Sequence, residues 1–222
     1  MKSLNKYILP LIVLGVFLSP IGCATINKGG VERVRLKEPR IKPLTESEWT
    51  AEQQRILNRY KMPDGRFPNI LTTLANHPKF FEKYMGIATY FTGESTLPPR
   101  EREILILRIG WLCRAEFEFG WHTLYGKSAG LTDEEIKRIT DGPKAAGWDS
   151  FDVTLLLAVD ELYYDAFITD ATWNALAKRY NQQQIMDVVV TVGQYNLVSM
   201  FLNSFGVQLD EGVPGFPKGK DK

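Results

Sequence analysis

The sequence predicts an all-α fold, and three observations support this prediction. From Thr45 onward, apolar residues recur with helical spacing, and capping residues, Gly and Pro punctuate the segments as they do helices. We find no segment with strand alternation between hairpin turns. The composition, with 44% hydrophobic and 24% charged residues among 222, is that of an ordinary globular domain.

Start and stop signals divide the chain into helical segments. A Thr45 or Ser47 cap opens the first segment, Pro98-Pro99 opens the fourth, and a Thr132–Glu135 capping box opens the sixth. Residues 104–113 are apolar on nearly every side, which predicts the central buried helix. In chain order, the predicted segments are about 45–60, 70–75, 80–91, 99–113, 115–129, 132 onward, 149–167, 170–180 and 184–205.

The N-terminus reads as an export signal. Lys2 and Lys6 precede an uncharged apolar run that is short for a membrane span and ends at Cys23. A small residue before a cysteine resembles a bacterial lipobox. We therefore expect 1–23 to be a signal peptide of the lipoprotein type, with Cys23 lipidated on the periplasmic side of the envelope. Ordinary cleavage and an uncleaved anchor are the alternatives.

The rest of the chain is expected to form one domain with short flanks. Residues 24–44 are predicted to be a basic linker, which is a solvated spacer or a patch for anionic lipid. The helical domain is expected at 45–213, followed by a tail at 214–222.

Charge and residue counts exclude several classes of function. The net charge is +1, so no basic excess favours nucleic-acid binding. Two cysteines and two histidines are too few for zinc-finger sets, iron–sulfur frameworks or disulfide scaffolds, and we expect no metal site.

One pair of residues is suited to proton transfer. Glu118 and His122 are four residues apart, so they share a face of a helix. A carboxylate beside an imidazole orients the ring and favours its protonated form. Spacing alone also permits a surface pair or a hydrogen-bonded core histidine.

The segment around this pair resembles the carboxymuconolactone decarboxylase family, which is related to the alkyl hydroperoxidase D-like proteins. The resemblance lies in an R-E-x-x-I-L helix, E-[YF]-E-[WF]-x-x-H and G-L-[ST]-x-E-E-I, within LPPREREILILRIGWLCRAEFEFGWHTLYGKSAGLTDEEI. Further matches at 148–149, 155–162, 170–173 and 192–196 extend it over about 45–213. It implies an alkyl hydroperoxidase D-like helical bundle that forms a homo-oligomer, with sites near subunit contacts.

The resemblance also implies a chemistry. The hydroperoxidase D-like branch carries C-x-x-C-x-x-x-H, but Ala115 and Glu118 stand at the two cysteine positions, and Cys113 is two residues away. The decarboxylase-like branch implies cofactor-free acid/base work on a small carboxylated lactone or keto acid. His122 would deliver the proton, Glu118 would set its tautomer and charge, and Glu103 matches a relay glutamate. A redox protein that uses Cys113 between subunits and a non-catalytic envelope binding protein are the alternatives.

Five further residues are candidates for binding the substrate. Arg108 lies in an apolar helix and would clamp a carboxylate or pair with a buried acid. Trp121 and Tyr125 flank His122 and would form a pocket wall or pack in the core. Tyr195 and Asn196 interrupt the apolar last helix and would reach the same site.

Overall fold

The computed structural model describes residues 36–219, and this part of the chain is an all-helical bundle without strands. Residues 36–219 belong to one compact unit. Two short 3-10 helices, Glu46–Glu48 and Asn58–Tyr60, flank the first α-helix. The α-helices are α1 (Ala51–Leu57), α2 (Asn69–Leu74), α3 (Pro78–Gly93), α4 (Pro99–Leu112), α5 (Glu116–Ser128), α6 (Asp133–Asp141), α7 (Ser150–Asp165), α8 (Asp170–Ala177) and α9 (Gln182–Phe205).

Helix α4 is the centre of the bundle, as the sequence predicts. Its residues 103–110 are all buried, and α5, α6, α7 and α9 pack around it. Helix α9 is long and apolar enough to cross a membrane by length and composition alone. Half of its most apolar stretch is buried against the bundle, as expected of a core helix.

The helix starts follow the capping chemistry closely, with two exceptions. Thr132 and Glu135 form the predicted capping box of α6. The first predicted segment is broken: Thr45 begins the 3-10 helix, and Thr50 caps α1 through its own capping box with Gln53. Helix α8 is capped by Thr169, one residue before the predicted start.

Both flanks of the predicted domain pack against the bundle where the structure describes them. In the expected linker, the backbone N–H groups of Arg40 and Leu44 donate to Phe205 and Thr72 carbonyls at 2.8 and 3.1 Å. In the expected tail, Phe216 packs edge-on against Trp111 at 5.0 Å. Backbone hydrogen bonds and aromatic packing therefore hold both segments against the bundle. The predicted signal peptide, Cys23 and residues 24–35 lie outside the described residues.

Candidate active site

The site lies between the central helix α4 and helix α5. Glu103 projects from α4, whereas Glu118 and His122 stand one turn apart on α5. Two glycines lie where α4 and α5 pack together. A Cβ at Gly110 would lie 3.5 Å from Cγ of Glu118, and one at Gly126 would lie 3.4 Å from Cδ1 of Leu107, which are ordinary packing distances. The sequence thus brings three ionisable side chains together in the interior.

Both nitrogens of His122 are bonded to carboxylates. Nδ1 lies 2.6 Å from Oε2 of Glu103, and Nε2 lies 2.9 Å from Oε1 of Glu118. All three side chains are buried, and His122 is only 7% exposed. We call Glu103, His122 and Glu118 the triad. A protonated imidazole can donate from both nitrogens at once, so this arrangement fits the imidazolium.

Electrostatics favour the charged form of His122. Burial on its own would lower the pKa of this imidazole, but the charges and hydrogen bonds of Glu103 and Glu118 outweigh it. They raise the pKa of His122 from 6.5 to about 10. His122 is therefore an imidazolium at neutral pH.

Three tyrosines surround the triad. The rings of Tyr195 and Tyr125 meet His122 edge-on, with centroids 4.9 and 5.3 Å from its own. The hydroxyl of Tyr84 accepts a hydrogen bond from Gln194 at 3.2 Å. Burial, followed by the nearby carboxylates, raises the pKa of all three phenols, so each keeps its proton at neutral pH.

Tyr125 and Trp121 form the outer wall of the site. Tyr125 is 48% exposed and stacks on Trp121, with centroids 5.8 Å apart. Trp121 Nε1 donates to Oδ2 of Asp210 at 2.8 Å, which ties the wall to the C-terminal segment. Asp210 also accepts from the backbone N–H of Asn69 at 2.9 Å. Tyr125 thus presents an exposed ring next to the buried His122.

The structure places two predicted residues elsewhere. Arg108 makes a bidentate pair with Asp160 at 2.7 and 2.9 Å and donates to the Ile139 carbonyl at 2.9 Å. Arg108 lies five residues after Glu103 on the same helix, so its side chain points about 140° away from that of Glu103. Of the two roles predicted for Arg108, the structure shows the pairing with a buried acid. The Asn196 side chain accepts from Sγ of Cys113 at 3.2 Å instead of facing His122.

Sequence reasoning missed several members of the site. Arg102 lies beside Glu103, with Nε 3.6 Å from Oε1 of that carboxylate. Arg102 is the arginine of the R-E-x-x-I-L motif, so that motif could have identified it. Tyr84 and Asp210 come from segments far along the chain, and no local pattern marks them.

No group of three or more metal-ligating side chains suited to a metal ion occurs within residues 36–219. Two cavities in the same part of the chain border other residues, not the triad. The first, of about 140 Å³, lies between the start of α5 and the end of α9 and is lined by Leu36, Arg114, Glu116, Phe117, Leu202, Asn203, Gly206, Val207, Gln208 and Leu209.

Comparisons with known proteins confirm the resemblance and the fold. Residues 77–160, which contain the whole triad, match the sequence model of the carboxymuconolactone decarboxylase family. A search of curated proteins finds no significant match. Solved structures do match, at identities that establish the fold alone.

Three of the solved structures that match are the following. An alkylhydroperoxidase AhpD core, an uncharacterized peroxidase-related protein from Ralstonia eutropha JMP134, matches with a TM-score of 0.69, 13% identity and coverage of 78% of this chain and 93% of that chain. An uncharacterized peroxidase-related protein from Silicibacter sp. TM1040 matches with a TM-score of 0.65 and 17% identity, over 85% of this chain and 97% of that chain. A variant of the debrominase Bmp8, in complex with 2,3,4-tribromopyrrole, matches with a TM-score of 0.64 and 10% identity, over 79% of this chain and 94% of that chain. The chain therefore has the alkyl hydroperoxidase D-like fold.

Proposed function

We propose that this carboxymuconolactone decarboxylase-like chain is an acid/base enzyme whose triad moves a proton at a carbon next to a carbonyl. The substrate class is a small carboxylated lactone or keto acid, and the reaction is decarboxylation or isomerisation. One observation carries the proposal: a buried imidazolium bonded at both nitrogens to carboxylates, 2.6 and 2.9 Å away. Buried charged groups of this kind, held in fixed geometry, are typical of proton-transfer sites.

The two carboxylates have different tasks. Glu103 holds Nδ1 of His122 from the rigid central helix, which fixes the ring. Glu118 faces Nε2 from the first turn of α5, so it is the group that must yield to substrate or pass the proton on. Tyr195 keeps its phenolic proton and touches the imidazole, which makes it a hydrogen-bond donor for a developing enolate oxygen.

Decarboxylation at this site balances without a redox step. The bond to the leaving carboxylate breaks, CO2 departs, and the electron pair enters an enolate with the neighbouring carbonyl. The carbon then takes a proton from the Nε2 side of His122, directly or through Glu118, and solvent restores that proton. Isomerisation uses the same groups to remove a proton from one carbon and return it to another.

The test is turnover of a panel of lactone and keto acids by wild type, His122→Gln and Glu118→Gln. We expect a loss of about 10²- to 10⁴-fold in each triad variant, the usual contribution of a general acid or base. Glu116→Gln is the matched control, because Glu116 is an exposed carboxylate on the same helix. Equal turnover in all four proteins would contradict the proposal.

The geometry does not favour the thiol alternative. Cys113 ends α4, ten residues after Glu103, which is about 15 Å of helix. The chain has two cysteines, Cys23 and Cys113, and Glu118 occupies the position where the related redox motif has a thiol. A dithiol cycle needs two nearby sulfurs.

We also propose that the domain is exported and tethered to the membrane through a lipid on Cys23. The support is the sequence alone: two lysines, an apolar run and a small residue before the cysteine. Loss of membrane fractionation in Cys23→Ser is the expected result. Unchanged fractionation would contradict lipidation.

The third proposal is a homo-oligomer. Helix α9 exposes an apolar stripe, and one isolated chain leaves it in contact with water. The stripe consists of Met186, Val189, Val190, Leu197 and Met200. Light scattering is expected to give a mass above that of one chain, with dissociation in Val190→Glu. A monomeric wild type would contradict this assembly.

A further inference from the structure

Arg102 is the arginine of α4 with the longest ion-pair distance, 3.6 Å to Glu103. The other two are saturated: Arg108 pairs with Asp160, and Arg100 pairs with Asp152 and Glu135. The Arg102 side chain forms no hydrogen bond within residues 36–219, and its nearest carboxylate oxygen, on Glu103, lies 3.6 Å from Nε. This distance is longer than a hydrogen bond.

The Arg102 side chain is nevertheless largely removed from water. Only 17% of it is exposed. A guanidinium carries five N–H donors in a fixed fork, and withdrawing them from water without acceptors costs free energy. The partly buried N–H donors of Arg102 therefore favour a hydrogen-bond acceptor supplied by a ligand.

Arg102 also lies beside the triad. The carboxylate of Glu103 bridges the two cations, with Oε2 on His122 and Oε1 facing Arg102. The charge of Arg102 also reaches Tyr195, where it opposes the burial that raises the pKa of that phenol. The guanidinium therefore lies on the other side of the Glu103 carboxylate from the imidazolium, close enough for its charge to act on the phenol.

We propose that Arg102 binds a carboxylate of the substrate, the role that the sequence suggested for Arg108. This inference rests on the proposed function of the triad. The planar fork of Arg102 matches a carboxylate bidentately, and partial burial strengthens that pairing. A carboxylate bound there lies on the Glu103 side of the triad. The ligand class is thus a small organic anion, and a neutral analogue of the same shape binds less well.

Calorimetric titration of the full chain in detergent tests this assignment. The probes are 5-oxotetrahydrofuran-3-carboxylate and its primary amide, which differ in charge. We expect wild type to bind the acid at least tenfold more tightly than the amide, and Arg102→Gln to lose that preference. Arg102→Lys should keep part of it, since charge remains while the fork is lost.

The control is Arg114→Gln, which removes another half-buried arginine, at the separate cavity. It should retain the preference for the acid. Equal binding of acid and amide by wild type, no binding of either, or equal effects of the two arginine variants would overturn the assignment. A purely structural role for Arg102 would change stability without changing the ratio of the two affinities.

Parallel turnover assays separate this inference from the proposed function. If Arg102→Gln loses the preference while wild type turns over no ligand, Arg102 still binds the anion and the proposed chemistry fails. If wild type turns over its ligand and Arg102→Gln matches it in affinity ratio and rate, the Arg102 assignment fails alone.

Discussion

Gly120 is the point where the C-terminal segment lies directly on α5, and Gly120→Ala tests that contact. A Cβ at this position would lie 2.2 Å from the carbonyl oxygen of Pro214 and 2.9 Å from Cγ1 of Val213. The first of these neighbours is backbone, so it cannot rotate away as a side chain can. The segment at residues 207–216 must shift or detach.

The expected loss of stability in Gly120→Ala follows from the contacts that residues 207–216 make. Its Phe216 packs on Trp111 and Phe119, and its Asp210 accepts two hydrogen bonds. Overpacking of this kind costs about 1–3 kcal/mol, against a gain of about 1 kcal/mol in helix propensity for Gly→Ala. We expect Gly120→Ala to lower the free energy of unfolding by up to about 2 kcal/mol, measured by urea denaturation.

Gly86→Ala is the matched control. Gly86 lies within α3, and a Cβ there meets nothing within 4 Å. This variant should gain up to about 1 kcal/mol. In a chain that ends at Gly206, Gly120→Ala should turn from destabilising to neutral or stabilising. If both glycine variants are equally stabilising in the full chain, the close packing of the C-terminal segment on α5 is wrong.

Two further predictions concern buried charges. Arg108→Met leaves Asp160 without its bidentate partner, so the free energy of unfolding should fall by about 3–5 kcal/mol. The preference for the acid over the amide should stay unchanged. A much smaller loss of stability would show that water solvates the Arg108–Asp160 pair. The raised pKa of His122 stabilises the fold fully below pH 6.5, and this contribution to the free energy of unfolding is lost as pH rises toward 10. Urea denaturation across this range should show a smaller loss in Glu103→Gln; identical losses would refute the linkage.

Local patterns predict most of the helices because each start and stop is coded within a few residues. The Thr132–Glu135 box and the left-handed Gly206 are short-range features. The apolar run in α4 predicts its central position for the same reason. The sequence does not predict the break before α1, because Thr45, Ser47 and Thr50 can all cap a helix; in the structure Trp49 lies at the break and packs on the core.

The site could be predicted only where its members share a helix or a motif. Glu118 and His122 follow from i,i+4 spacing, and Glu103 came from the family resemblance. Arg102 and Arg108 both lie on α4, and the sequence does not distinguish them. Only the position of Asp160 on α7 shows that Arg108 is the one held in a bidentate ion pair. Tertiary pairing of this kind leaves no local signal.

The protonation state of His122 tests the charged triad most directly. With two histidines in the chain, His77 and His122, imidazole NMR signals can be assigned from one variant of each. We expect His122 to remain an imidazolium through neutral pH, to titrate near pH 10, and to titrate at lower pH in Glu118→Gln. A His122 that is neutral at pH 7, or that titrates near 6.5 regardless of Glu118, would contradict the charged triad on which the proposed chemistry depends.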